Sequence, residues 1–339
     1  MPAPTPSSPH QAVSLPKLRT EGLSTGYDVR PDATPLFADL NLTLYAGQLV
    51  CFMGPNGVGK STLIRTLAGL RQPLSGRVTI VPPTGTASVS IPQSIALVLT
   101  QRLSATHMTG YELIAYGRYP YLDWRVTLRE EDKRIIDKAI KAVNIKHLAH
   151  KKVYELSDGQ LQLVLIAKAL AQDTPIILLD EPTAHLDLNN RVEIMRLLQR
   201  LAHDTGKAIL IATHELDLAL QMADYIWLAG HNQNIITGIP EDLVLDGTFD
   251  RIFQFKGFDL RTGKVQHHPH RDVLIAVKGE GHEYRWTCSA LERSGFIVSD
   301  VGSAHRIEVH TAPTLYWTID GDKTFTTLEP VLLQLSEQD

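Results

Sequence analysis

Two cysteines in 339 residues, Cys51 and Cys288, are too few and too far apart for a disulfide framework. Free thiols are the expected state, which suits a reducing cytoplasm. Basic charge is also short: 33 Lys and Arg against 37 Asp and Glu leave a net charge of −4. That removes any bulk electrostatic reason to bind nucleic acid or an anionic membrane. No apolar run approaches the roughly 18 residues that would cross a bilayer. The opening "MPAPTPSSPHQAVSLPK" lacks the basic start and apolar centre of a signal peptide, so residues 1–17 read as a Pro- and Ser-rich disordered tail. What remains is ordinary for a soluble globular chain: 43% hydrophobic and 21% charged residues, with length for about two domains.

Apolar runs mark the strands. "LVCFMG" ends in a glycine turn, and "STLIRTLAGL" follows it with helical spacing. "SGRVTI" reads as a strand, "VPPTGTASVSIPQS" as a surface loop, and "IALVLTQ" as a buried strand ending at Gln101. From about Thr109 to His150 the pattern is helical, most clearly in the amphipathic "REEDKRIIDKAIKAV". "PIILLDE" and "AILIATH" are near-continuous apolar runs, the mark of parallel strands covered on both faces. Strands alternating with helices imply an α/β fold. Around 250–270 the chain turns polar and broken. Beyond it "VLIAVKG", a helix "WTCSALERSG", "RIEVH", "LYWTID" and "TLEPVLLQL" suggest a small α+β unit over 270–339, in the order β-α-β-β-α.

"GPNGVGKST" at 54–62 fits G-x-x-x-x-G-K-[ST]. A chain this long holds roughly 0.01 such matches by chance, from average residue usage. Gly54, Gly57 and Gly59, with Pro55, Asn56 and Val58 between them, allow backbone N–H groups to wrap phosphate oxygens. Lys60 would reach the β- and γ-phosphates of ATP, and Ser61, beside Thr62, would bind Mg²⁺. The helix that follows points its positive end at the anion.

Ligands of open parallel sheets gather at the carboxyl ends of strands. Gly54, Gln101, Asp180, Glu181 and His214 all fall at or just past such ends. Asp180 would hold Mg²⁺ through water. Glu181 would orient and deprotonate the attacking water. Gln101 would touch Mg²⁺ or that water, and His214 would hydrogen-bond the γ-phosphate.

With these residues located, "LSDGQ" at 156–160 resembles the signature sequence of ATP-binding cassette (ABC) ATPases, usually Leu-Ser-Gly-Gly-Gln. Seven motifs stand in family order over about 18–250. They include an aromatic before the phosphate turn, Tyr27, and a "TAHLD" segment ending at Asp187. The resemblance implies a P-loop NTPase cassette over 18–255 with a mostly parallel sheet core, an antiparallel β part and a helical subdomain at about 102–158. It implies adenine stacking on Tyr27. It also implies that Ser157, Asp158, Gly159 and Gln160 face ATP held by a second copy of the chain, packed head to tail. Ser157 also reads as a helix cap. Asp158 and Lys168 depart from the commonest pattern, which has Gly and Arg there. A carboxylate beside phosphate is repulsive, so Asp158 is expected to point away or to bond within the turn.

A single cassette without membrane helices resembles importer subunits. "YELIAYGRYPYLDW" at 111–124 is similar to a segment of ATPases serving iron–siderophore, haem and vitamin B12 importers. That implies separate permease subunits, indirect contact with a substrate-binding protein, no nucleic acid, and a place on the inner face of the membrane. An aromatic-rich helix end packing internally is the plain alternative for the segment. The alternative function is a soluble ABC ATPase acting on a cytoplasmic assembly such as iron–sulfur cluster biogenesis. "HHPH" (His267, His268, His270) reads as a polar linker, because no Cys or acidic cluster at ligand spacing supports a metal site. The segment 270–339 is expected to be a regulatory or dimer-stabilising accessory domain.

Overall fold

A computed structural model describes residues 15–27, 34–81, 90–99, 107–230, 232–254, 258–259, 264–265, 269–311 and 314–336. The chain divides into two compact units, Met1–Gln254 and Phe255–Asp339.

In the first unit β1 (Pro16–Thr25), β2 (Phe37–Leu40) and β3 (Thr43–Tyr45) lead to β4 (Leu49–Met53) and α1 (Lys60–Leu67). β5 (Ser75–Ile80), the single turn α2 (Ile91–Ser94) and β6 (Ile95–Val98) follow. The helical stretch contains α3 (Gly110–Ala115), a 3-10 turn at Tyr116–Tyr121, α4 (Glu130–Val143) and α5 (Asp158–Ala171). The chain then alternates through β7 (Ile176–Asp180), α6 (Leu188–Thr205), β8 (Ala208–Ala212), α7 (Leu216–Met222) and β9 (Tyr225–Ala229). It closes with β10 (Ile235–Gly238), α8 (Pro240–Leu245) and α9 (Thr248–Phe253).

The main sheet runs β10-β9-β4-β8-β7-β6, parallel throughout except for β10 at its edge. β4, β7 and β8 are buried at every position, which is why they read as unbroken apolar runs. A second, antiparallel sheet pairs β1 with β2, β3 and β5. One core of Leu18, Phe37, Phe52, Leu63, Ile64 and Trp227, among others, packs both sheets on α1. Cys51, between Val50 and Phe52 on β4, is fully buried, and burial, with the charge of Asp224, pushes its thiol up to about 12. That thiol is inert at neutral pH.

In the helical stretch, Thr109 and Glu112 close a reciprocal capping box on α3. Asn144 ends α4 in the left-handed region. α5 packs against both α3 and α4. The "GRYPY" segment turns its motif residues inward. A Cβ on Gly117 would sit 2.3 Å from Lys168 O of α5. Arg118 donates from Nε to Asp132 Oδ1 (2.8 Å) and from Nη1 to Ala171 O (3.1 Å), and stacks 4.1 Å over the Tyr121 ring. Its neighbours Tyr116, Tyr119 and Trp124 face outward.

The second unit begins with the two-residue strands β11 (Phe258–Asp259) and β12 (Lys264–Val265), then β13 (Leu274–Lys278), α10 (Gly281–Arg293), β14 (Ile297–Val298), β15 (His305–His310), β16 (Tyr316–Ile319), β17 (Lys323–Phe325) and α11 (Leu328–Ser336). Its five-stranded sheet runs β14-β13-β15-β16-β17. Ile275, Leu291, Phe296, Ile307, Trp317 and Val331 share one core. The order is therefore β-α-β-β-β-β-α, two strands more than the five-element order expected. β14 has two residues and β17 reads "KTF", so neither carries a periodic apolar signal. α10 also starts five residues before the expected "WTCSALERSG". His270 packs its ring against Gly295, where an added Cβ would lie 2.2 Å from it. His267 and His268 lie outside the described residues.

Candidate functional site

β4 ends at Met53 and the chain turns through 54–59 into α1. Two glycines make this turn possible. A Cβ at Gly54 would stand 2.7 Å from Ala229 Cβ on β9. Gly59, the N-cap of α1, has φ +113°, and a Cβ there would meet Leu36 at 2.9 Å. Lys60 bends back over the turn and donates to Gly54 O (2.9 Å) and Pro55 O (3.3 Å). Burial lowers the pKa of its ammonium, while Glu181 and Asp180 oppose that shift. The amine is thus stored inside the loop, held by two of its carbonyl oxygens.

β7 places its last residue, Asp180, beside this turn. Ser61 Oγ donates to Asp180 Oδ1 at 3.0 Å. Burial raises the Asp180 carboxyl above its usual range, partly offset by the Ser61 hydrogen bond. Glu181, one residue on, sits at φ 51° with its N–H on Ala212 O (2.8 Å). A left-handed backbone at a residue with a side chain is strained, and such strain gathers at functional sites. Its carboxylate shares a 2.6 Å hydrogen bond with His214 Nδ1. His214 follows β8, whose next residue, Thr213, donates its N–H to Phe52 O. Residues from three neighbouring strands, β4, β8 and β7, therefore converge at the carboxyl end of the sheet.

A second group forms at the start of α5. Ser157 Oγ accepts from Gln160 N and Gln160 Oε1 accepts from Ser157 N, both at 3.3 Å. Asp158 is exposed in the first turn of the helix, so it points to solvent. Gly159 rests on Asn190, whose Cγ would lie 3.1 Å from an added Cβ. Asn190 is also held by Asp187, which caps α6 and accepts from Asn190 N and Nδ2, each at 2.9 Å. Asp187 and the Ser157–Gln160 turn are thus neighbours within one chain.

Tyr27 is exposed, and Arg71 holds its segment by donating to Gly26 O (2.9 Å) and Tyr27 O (2.8 Å). The Arg71 guanidinium lies 6.0 Å from the Tyr27 ring centroid. Gln101 lies outside the described residues. Sequence reasoning passed over Arg71, Arg191 and Glu215. Each acts through a contact to a distant element, and nothing local in the sequence marks it.

A buried lysine in a glycine turn, a Ser–carboxylate pair and a Glu–His pair at parallel strand ends define a P-loop nucleotide-binding protein. Two families match the chain: "ABC transporter" over residues 37–184 and "Iron ABC transporter C-terminal domain" over 272–336. The probable siderophore transport system ATP-binding protein YusV of Bacillus subtilis is 36% identical over 246 residues, covering 71% of this chain and 87% of its own. The ferric enterobactin transport ATP-binding protein FepC of Escherichia coli is 34% identical over 242 residues, covering 71% and 88%. A structure provisionally assigned to a metal-chelate type ABC transporter, in an inward-facing conformation, is 28% identical with TM-score 0.62, covering 71% of this chain and 90% of its own. The dimeric structure of the bacterial ABC transporter cassette MJ0796 is 27% identical with TM-score 0.52, covering 62% and 93%.

The chain belongs to the ATP-binding cassette family of ATPases, among those resembling the ATP-binding subunits of iron–siderophore importers. Among the described residues, no helix is long and apolar enough to cross a membrane.

Proposed function

We propose that this chain is the ATP-hydrolysing subunit that powers import of an iron chelate through separate permease subunits at the inner face of the membrane. Two copies pack head to tail, and each composite site takes its phosphate turn from one chain and its Ser157–Gln160 turn from the other. The observation that carries the hydrolytic part is the Glu181–His214 bond beside the Ser61–Asp180 pair. The iron cargo is supported by the match of residues 272–336 and by the named siderophore relatives. A cobalamin or haem cargo would use the same chemistry.

The donor set suits Mg²⁺: a hydroxyl and a carboxylate are hard oxygen ligands, and they lie 3.0 Å apart at the mouth of the cradle. Bound there, the ion would neutralise charge gathering on the phosphoryl group. Lys60 and the N–H groups of the 54–59 turn hold the phosphates. Tyr27 stacks on the base. Glu181 takes the proton of the attacking water, and His214 fixes that carboxylate from Nδ1 while presenting its other edge to the γ-phosphate. The exposed Tyr116, Tyr119 and Trp124 offer the permease an aromatic surface. The second unit lies outside this machinery and serves regulation or dimer stability.

Glu181→Gln tests the hydrolytic assignment. Turnover should fall about 10²–10⁴-fold while ATP affinity survives. Near-normal turnover in this variant would remove Glu181 from the role. Transport assays with the copurified permease, comparing iron chelates with cobalamin, test the cargo.

A further inference from the structure

His214 stands between two carboxylates. Its Nδ1 is 2.6 Å from Glu181 Oε2, and its Nε2 is 3.6 Å from Glu215 Oε1. The two contacts differ in kind. The first is a hydrogen bond in which Nδ1 donates to the carboxylate. The second is longer than a hydrogen bond and is a charge contact between the ring edge and a carboxylate.

Glu215 is no surface carboxylate. Its side chain is 15% exposed, and Oε1 is shielded from water with no hydrogen bond of its own. Arg191, on α6, compensates it: Nη1 lies 2.7 Å from that same oxygen, as a charge contact off the hydrogen-bond line. The guanidinium does not spend its fork on the carboxylate, as a bidentate structural pair would. Its Nε donates instead to Leu186 O at 2.7 Å. Leu186 directly precedes Asp187, the cap of α6 and the neighbour of Asn190. The Glu215 backbone is pinned as well, with its N–H on Thr213 Oγ1 at 3.0 Å.

One shielded oxygen therefore touches both the histidine edge that faces away from Glu181 and the arginine that holds the Asp187 turn. We propose that Glu215 and Arg191 are positioning residues for ATP hydrolysis, setting the direction of His214 Nε2 and the placement of the Asp187 turn through Glu215 Oε1. This rests on the hydrolytic reading of Glu181 and His214. Without the Glu215 charge, the Nε2 edge loses the anion it faces, and the ring is free to turn. Gln in its place keeps the shape of the side chain and removes the charge that the ring edge faces. Without Arg191, an uncompensated buried carboxylate is left beside His214 and Glu181, and the Leu186 carbonyl loses its donor.

The test is steady-state and single-turnover ATP hydrolysis by the full chain carrying Glu215→Gln, Glu215→Asp or Arg191→Met. Glu215→Gln and Arg191→Met should each lower kcat about 10-fold with KM for ATP within about 2-fold, since misplacement costs rate rather than ground-state binding. Glu215→Asp, which keeps the charge, should recover part of the loss. In a His214→Ala background, adding Glu215→Gln should change single-turnover rate little, because coupled residues are non-additive. An unchanged kcat in Glu215→Gln, or its full effect persisting without His214, would overturn the proposal. If Glu215→Gln does not fold, Glu215→Asp at wild-type kcat together with Arg191→Met at wild-type kcat overturns it equally. Glu181→Gln run alongside separates the two readings. If it keeps turnover, the hydrolytic assignment fails. If it loses turnover while Glu215→Gln does not, only the positioning role fails.

Discussion

The two glycine-bearing turns of the cassette unit are built in opposite ways. The turn into α1 is enclosed: Gly54 touches β9, Gly59 packs under Leu36, and Lys60 and Ser61 are already held by Gly54 O, Pro55 O and Asp180. The turn into α5 is open: Ser157 and Asp158 are exposed, and its cap is closed by two 3.3 Å bonds. Both are helix N-termini with unsatisfied N–H groups and a positive dipole end. One has gathered its partners from its own chain. The other offers the same chemistry outward, with Asn190 beneath Gly159. In the proposed head-to-tail pair, this difference would let one chain supply half of each of two sites.

The enclosed turn should respond most strongly to loss of its carboxylate. Burial raises the Asp180 pKa, so the ionised form costs the nucleotide-free fold stability. The favourable contribution is present below the ordinary carboxylate pKa of about 3.9 and is lost as pH rises through the higher folded value. Asp180→Asn removes an oxygen proposed to hold Mg²⁺ and should cut Mg²⁺-dependent hydrolysis by more than about 10²-fold. The same variant should raise the melting temperature at pH 7, a gain that shrinks near pH 4. A lower melting temperature at pH 7 would show that Asp180 is held by more than its burial allows.

The open turn should fail only in trans. Ser157→Arg should abolish hydrolysis while leaving ATP binding intact. Mixed with Lys60→Ala chains, it should recover roughly a quarter of wild-type activity, since half the pairs are mixed and each holds one complete site. Two inactive proteins that stay inactive on mixing, although both fold and associate, would break the comparison.

The smallest effect is expected at Asp158. It points to solvent in the first helical turn, where a carboxylate favours the helix by about 0.3–1 kcal/mol. Asp158→Gly should destabilise slightly and leave ATP-driven association unchanged, as read by sedimentation. Markedly tighter association would mean that Asp158 repels the nucleotide.

The legible parts of the chain are those whose physics is local. The 54–62 turn needs glycines at fixed offsets, and the strands β4, β7 and β8 are apolar on both faces, so spacing and composition announce them. Gly-Arg-Tyr-Pro was visible as a motif, but its packing was not. Arg118 finds Asp132 14 residues away and Ala171 O 53 residues away, and neither separation follows from a local rule. β14 and β17 are too short to show a period, and they form because β13 and β16 already provide edges to pair with. Arg191 and Glu215 illustrate the limit best. They are 24 positions apart on separate elements, and only the fold brings their charges together.

The most direct test of a site shared between two chains is the association state of Glu181→Gln in the presence of Mg²⁺-ATP. The account predicts a monomer without nucleotide and a stable dimer holding two ATP molecules with it. A chain that binds ATP fully yet stays monomeric at every concentration, or a dilute wild-type monomer that hydrolyses at full rate, would contradict it.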